Sequence, residues 1–94
     1  MTVLTIKYTK KMKSDVKRIV KRGKDVSRLT VTLDLLAANE KMPERYHDHP
    51  LKGDMQGYRE CHIEPDWLLI YQIKDDELFL LASGTGTHSD LFDE

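Results

Sequence analysis

Residues 58–74 read YRECHIEPDWLLIYQIK, and the fold turns on this stretch. Tyr58–Glu64 alternates, with Arg59, Cys61 and Ile63 on one side and Tyr58, Glu60, His62 and Glu64 on the other. That is the period of a strand with two unlike faces. Pro65-Asp66 supplies a turn, and WLLIYQI beyond it is almost wholly apolar, which predicts a central strand covered on both faces. Downstream, KDDE reads as a hairpin connection and LFLLA as the next strand. Upstream, MPERYHDHPLKGDMQG is polar and rich in turn-forming residues, so it reads as a long surface loop.

The N-terminal third has a different period. Met12, Val16, Ile19 and Val20 recur at helical spacing among lysines and arginines, and Gly23 supplies a stop. Asp25 caps a second helix with a stripe of Val26, Leu29, Leu33, Leu36 and Ala37, closed by Asn39 and Pro43. Residues 2–8, TVLTIKY, form a short strand ahead of both. The expected architecture is α+β: an N-terminal strand, a two-helix hairpin, then an antiparallel meander with a short C-terminal tail. With 94 residues the chain has material for one hydrophobic core, so residues 1–94 are expected to be a single domain.

Composition narrows the function. No apolar run approaches the roughly 20 residues that span a bilayer. The first residues lack the charge order of a cleavable signal, and the single cysteine, Cys61, suits a reducing compartment, so the chain is expected to be cytoplasmic. The formal charge of −1 hides a division: residues 1–33 hold ten basic and two acidic residues, while the remainder holds five and fourteen. Such a field steers a polyanion toward the basic end; a solvated helix face is the alternative.

All four histidines lie in the second half: His47 and His49 in the loop, His62 on a strand, His88 in the tail. If the tail folds back over the meander, His49, His62, Asp66 and His88 can share one cleft and work as general acids and bases near neutral pH. The same atoms allow a metal site, with His47, His49 and Asp66 as ligands, although no strong spacing motif is present. Segment GTGTH follows a strand but does not lead into a helix long enough for a nucleotide-binding unit. Trp67 is expected in the core or the cleft wall, and Phe92 either packs on the sheet or stacks on a base.

Together, HPLKG, GYRECHIEPDWLLIY and TGTHSDLF resemble the RelE/ParE-like toxins of bacterial toxin–antitoxin pairs, and among them the YafQ subgroup. The resemblance covers essentially the whole chain. It implies a RelE-like fold and a ribosome-dependent mRNA endonuclease that needs no metal or other cofactor. Its implied partners are a small DinJ-like antitoxin, the 70S ribosome and mRNA, with operator DNA reached only through the antitoxin. By motif position the catalytic set is His49, His62, Asp66 and His88, with Phe92 holding the substrate. Lys10, Lys11, Lys13, Lys17, Arg18, Lys21 and Arg22 of the first helix would meet ribosomal RNA. One position departs: the family usually has an arginine before TGTH, and here it is Gly84. Loss of such a cation predicts an attenuated enzyme, unless Gly84 answers to a backbone angle. The competing functions are a ParE-like gyrase inhibitor, which needs no histidine cluster, a metal-dependent hydrolase and a pure interaction protein.

Overall fold

The computed structural model describes residues 3–74 and 79–92, which form a five-stranded sheet and three α-helices. Strand β1 (Thr5–Tyr8) leads into α1 (Lys10–Lys21) and α2 (Val26–Ala37). Then come β2 (His49–Pro50), β3 (Arg59–Glu64), β4 (Trp67–Lys74), β5 (Phe79–Gly86) and α3 (His88–Phe92). The spatial order is β1-β5-β4-β3-β2, with β1 parallel to β5 and the other pairs antiparallel.

The helix boundaries follow from capping chemistry. Thr9 accepts the Met12 amide at 3.0 Å to open α1. Gly23, at φ +79°, closes it, with Gly23 N donating to Val20 O at 3.0 Å and Lys24 N to Ile19 O at 3.1 Å. That pair of bonds is a Schellman closure, which needs a left-handed residue. Asp25 accepts the Ser27 amide at 3.0 Å to start α2, and Asn39 at φ 58° ends it.

Met12, Ile19, Leu29, Leu33 and Leu36 from the helices pack against Cys61, Trp67, Leu69, Tyr71, Leu80 and Ala82 of the sheet. Val20 and Val26 of the expected apolar stripes are exposed instead. β4 is the central strand anticipated from its composition: Leu68 and Ile70, on its other face, are buried too. Register aligns Leu68 with His62 and Gly86, and Ile70 with Glu60 and Gly84, so these residues form two rows across the face opposite the main core, with side chains of α1 and α3 reaching the Gly84 end.

Several details differ from the sequence expectation. The surface loop contributes a two-residue edge strand and two short 3₁₀ turns, Glu44–Tyr46 and Gly53–Met55. The first strand is shorter, Thr5–Tyr8, and its parallel pairing with β5 makes the sheet mixed. The last strand runs on to Gly86, and the tail is helical. Residues 75–77 of the KDDE connection and Leu78 lie outside the described residues. A register shift between His62 and Glu64 turns Glu64 off the His62 face, and its carboxylate meets Lys24 at 3.0 Å and Arg28 at 2.7 Å on the helical hairpin.

Candidate active site

His62 is the hub of the histidine cluster. Strand alternation and the Leu68 register put it on the open face of β3, and its ring is 5.7 Å from that of His47, 6.3 Å from His49 and 5.9 Å from His88. Glu60, two residues earlier on the same face, is buried, with Oε1 3.3 Å from His62 Nε2 and 3.8 Å from His49 Nε2. Glu60 was absent from the expected site, although its parity with His62 was legible. A carboxylate seated between two imidazoles limits their motion.

The loop carrying His47 and His49 is held from below. Asp48 accepts from Arg59 Nε at 3.0 Å and from the Tyr71 hydroxyl at 2.5 Å, and burial together with that carboxylate pushes the Tyr71 phenol well up. Between them, His47 adopts φ +47° and its carbonyl oxygen lies 2.6 Å from His49 Nδ1. Arg59 is thereby occupied on the loop side, as its strand parity indicated. His47 is exposed, as a loop histidine ordinarily is, yet it edges the cluster.

His88 comes from the tail. Thr87 and Asp90 cap α3 reciprocally, Thr87 N donating to Asp90 Oδ2 at 3.0 Å and Asp90 N to Thr87 Oγ1 at 3.1 Å. Asp66, in the β3–β4 turn, accepts from the His88 backbone amide at 3.1 Å and lies 2.8 Å from His88 Nδ1. These bonds from His88, the backbone one first, hold the Asp66 carboxyl below its ordinary range. With Nδ1 protonated and donating to Asp66, Nε2 is the free nitrogen, as in other carboxylate-oriented histidines. Phe92 lies one turn on, its ring 6.4 Å from that of His88. Trp67 is core, with Nε1 donating to Thr85 Oγ1 at 3.0 Å. Cys61 is fully buried, and desolvation pushes its thiol well up, which makes it inert.

The anticipated set therefore assembles in part as two histidine–carboxylate pairs, His62 with Glu60 and His88 with Asp66, with His49 at the rim. The metal grouping His47, His49 and Asp66 is not what the fold brings together. Ligand atoms of Glu60, His62 and His88 instead lie within 4.8 Å of one another, the spacing of a site for one cation. A groove of about 1020 Å³ runs from this cluster past Tyr46 and Arg45 to Arg28 and Val31 of α2.

Gly84 lies beside the cleft in the Ile70 row. A Cβ there would stand 3.2 Å from Lys11 Nζ, 3.3 Å from Asp15 Oδ2 and 3.4 Å from Leu91 Cδ2. Its φ is not positive, so no backbone angle demands glycine; Gly86, at φ +153°, is the residue with the unusual angle. Of the basic residues of α1, Lys11 and Arg18 bind Asp15 at 2.6 and 2.7 Å, and Arg22 binds Asp90. Lys10, Lys13, Lys17 and Lys21 are exposed and make no ion pair among the described residues.

A helical hairpin on one face of a small mixed sheet, with a histidine–carboxylate cleft on the other and a short terminal helix closing it, defines a RelE-like toxin. Residues 4–93 match the family model described as "Bacterial toxin of type II toxin-antitoxin system, YafQ", and the chain belongs to that family. It is 44% identical over 88 residues, 93% of this chain and 94% of the relative, to the mRNA interferase toxin YafQ of Escherichia coli K12. Among solved structures, the toxin of the E. coli DinJ–YafQ toxin–antitoxin complex aligns with a TM-score of 0.86 at 43% identity, covering 95% of this chain and 97% of that one. A metal-bound toxin from Helicobacter pylori aligns with a TM-score of 0.89 at 45% identity, covering 95% and 99%.

Proposed function

We propose that this YafQ-family toxin, a single-domain mRNA interferase, cleaves mRNA on the ribosome by metal-independent acid–base chemistry in the His62–His88 cleft. The observation that supports this reading is the pair of histidine–carboxylate contacts facing each other, with the two rings 5.9 Å apart. One imidazole takes the proton of a ribose 2′-hydroxyl, the 2′-oxygen bonds to the adjacent phosphorus, and the bond to the 5′-oxygen breaks. A protonated imidazole delivers a proton to that leaving oxygen, so the products are a 2′,3′-cyclic phosphate and a free 5′-hydroxyl. His49, His62 and His88 supply the acid and base, Asp66 orients His88, and each such group contributes about 10²–10⁴-fold. Phe92 stacks on a splayed base beside His88.

The free lysines Lys10, Lys13, Lys17 and Lys21 meet ribosomal RNA, whereas Lys11, Arg18 and Arg22 are engaged by the carboxylates of Asp15 and Asp90. The antitoxin is DinJ-like, by analogy with the E. coli complex, and operator DNA is reached only through it. The toxin acts in the cytoplasm, and no described helix is long and apolar enough to cross a membrane. Gly84 reduces turnover by leaving the cleft wall without a guanidinium.

The test is cleavage of mRNA on purified ribosomes by the parent and by His49→Ala, His62→Ala and His88→Ala, with and without excess chelator. Losses of at least 10²-fold in the His62 and His88 variants, and chelator-insensitive parent activity, are expected. Unchanged cleavage in all three variants removes the assignment. Loss of activity in chelator, restored by a divalent ion, would replace it with a metal reading at Glu60, His62 and His88.

A further inference from the structure

Helix α3 has five residues, too few to hold together by its own hydrogen bonds, yet it carries His88 and Phe92. Something outside the helix must fix it. Asp66 reaches only its first residue. On the opposite side, Asp90 receives Arg22 from α1 through two bonds, 2.5 Å to Oδ2 and 3.1 Å to Oδ1, and Arg18 Nη1 lies 3.4 Å from Oδ1. The same carboxylate accepts the Thr87 amide, so it joins the cap of α3 to the last turn of α1 across 68 residues of sequence. Asp90 is 13% exposed, against 45% for Arg22, so the pair is shielded on the acid's side. Position 86 confirms how closely Asp90 is seated: a Cβ on Gly86 would stand 2.8 Å from Asp90 Oδ2 and 2.9 Å from Asp90 Cβ.

We propose that Asp90, clamped by Arg22 and Arg18, is a positioning residue that sets the His88 imidazole against Asp66 and His62, and that these two arginines therefore serve the reaction through Asp90. The inference rests on the reading of His88 as a catalytic group. The Asp90 carboxylate is taken up by Arg22 and the Thr87 amide, so it acts through the placement of α3. Misplacement of a reacting group by about 1 Å can cost 10²-fold in rate. Freeing Arg22 adds positive charge at the surface, so affinity for a polyanion does not fall.

The experiment is steady-state cleavage on ribosomes by Asp90→Ala, Asp90→Glu, Arg22→Ala, His88→Ala and the double variant His88→Ala/Asp90→Ala, with amide exchange at Leu91. Asp90→Ala and Arg22→Ala should lower kcat by roughly 10- to 100-fold, with any change in KM much smaller because Phe92 alone of the RNA contacts rides on α3. The Leu91 amide, bonded to Thr87 O at 3.1 Å, should lose protection. Asp90→Glu, which can keep both the cap and the ion pair, should recover most of the rate. Asp90→Ala should have no further effect once His88 is gone. Arg22→Ala leaves the Thr87 cap intact, so it tests the clamp even where Asp90→Ala impairs folding. A raised KM at unchanged kcat in Arg22→Ala overturns the proposal and makes Arg22 an RNA contact. Parent kcat in both single variants, with His88→Ala inactive, overturns the proposal alone; an active His88→Ala overturns the reading beneath it.

Discussion

At the residue scale, the informative position is Gly84, where the missing side chain leaves room that a neighbour has taken. Lys11 Nζ, held at 2.6 Å by Asp15, occupies the space above the Gly84 Cα. An arginine at 84 meets a flexible lysine end on one side and a carboxylate on the other, so Lys11 can swing into solvent while the guanidinium shares Asp15. Gly84→Arg is therefore expected to fold and to raise mRNA cleavage by about tenfold or more, read as kcat on ribosomes. Equal kcat in the two proteins would show that the cleft does not lack a cation there. The acid that sequence reasoning passed over, Glu60, sits two residues from His62 in an alternating strand. Its face was readable, but its burial depends on β2 lying alongside, with His49 paired to Glu60 in register.

At the element scale, α1 does two jobs at the sheet edge. Strand β1 pairs with β5 from Phe79 to Ala82, and among the described residues the remaining length of β5 has no strand neighbour on that side. Asp15 substitutes for one: it is 1% exposed and accepts the Thr85 backbone amide at 3.2 Å while neutralised by Lys11 and Arg18. Asp15→Ala would leave a buried amide without a partner, a loss of about 1–3 kcal/mol measurable by urea unfolding. Wild-type stability in that variant would mean the edge finds another acceptor. The caps of α2 and α3 give the pH response. Asp25, held low by the Ser27 hydroxyl and amide, and Asp90, held low chiefly by Arg22, are both depressed in the folded state. Their stabilisation is complete above the unfolded carboxyl value of about 4 and is lost as pH falls through the lower native values. Protection of the Ser27 and Thr87 amides, taken relative to intrinsic exchange at each pH, should hold at neutral pH and fall only in acid below that value; a fall already near neutrality would contradict the capping roles.

At the scale of the whole molecule, the basic N-terminal third and the acidic remainder partly neutralise each other across the fold. Arg18 and Arg22 meet Asp90, and Lys24 and Arg28 meet Glu64, so the hairpin is pinned to the sheet by charges far apart in sequence. Lys10, Lys13, Lys17 and Lys21 are left facing outward. Replacing Lys13, Lys17 and Lys21 by Gln should weaken ribosome association, and each lost phosphate contact should reduce the slope of log K against log salt by about 0.7–0.9. Saturating kcat should be unaffected. An unaltered salt slope would move the RNA-facing surface away from α1, toward the groove lined by Arg28 and Arg45.

Local chemistry was enough to determine the two helices, their caps and the central strand, because apolar period, Asp25 and Gly23 act within a few residues. The motif residues His49, His62, Asp66, His88 and Phe92 were legible in the same way, as short segments. Tertiary structure alone decided which of them meet. The parallel pairing of β1 with β5, the two-residue strand at His49 and the register shift after His62 join segments far apart in sequence, and no local pattern encodes their register. Asp90 makes the same point: the Thr87–Asp90 spacing marks a cap, but its partner Arg22 is supplied by a helix 68 residues away, and only the folded chain brings the two carboxylate–histidine pairs to face each other.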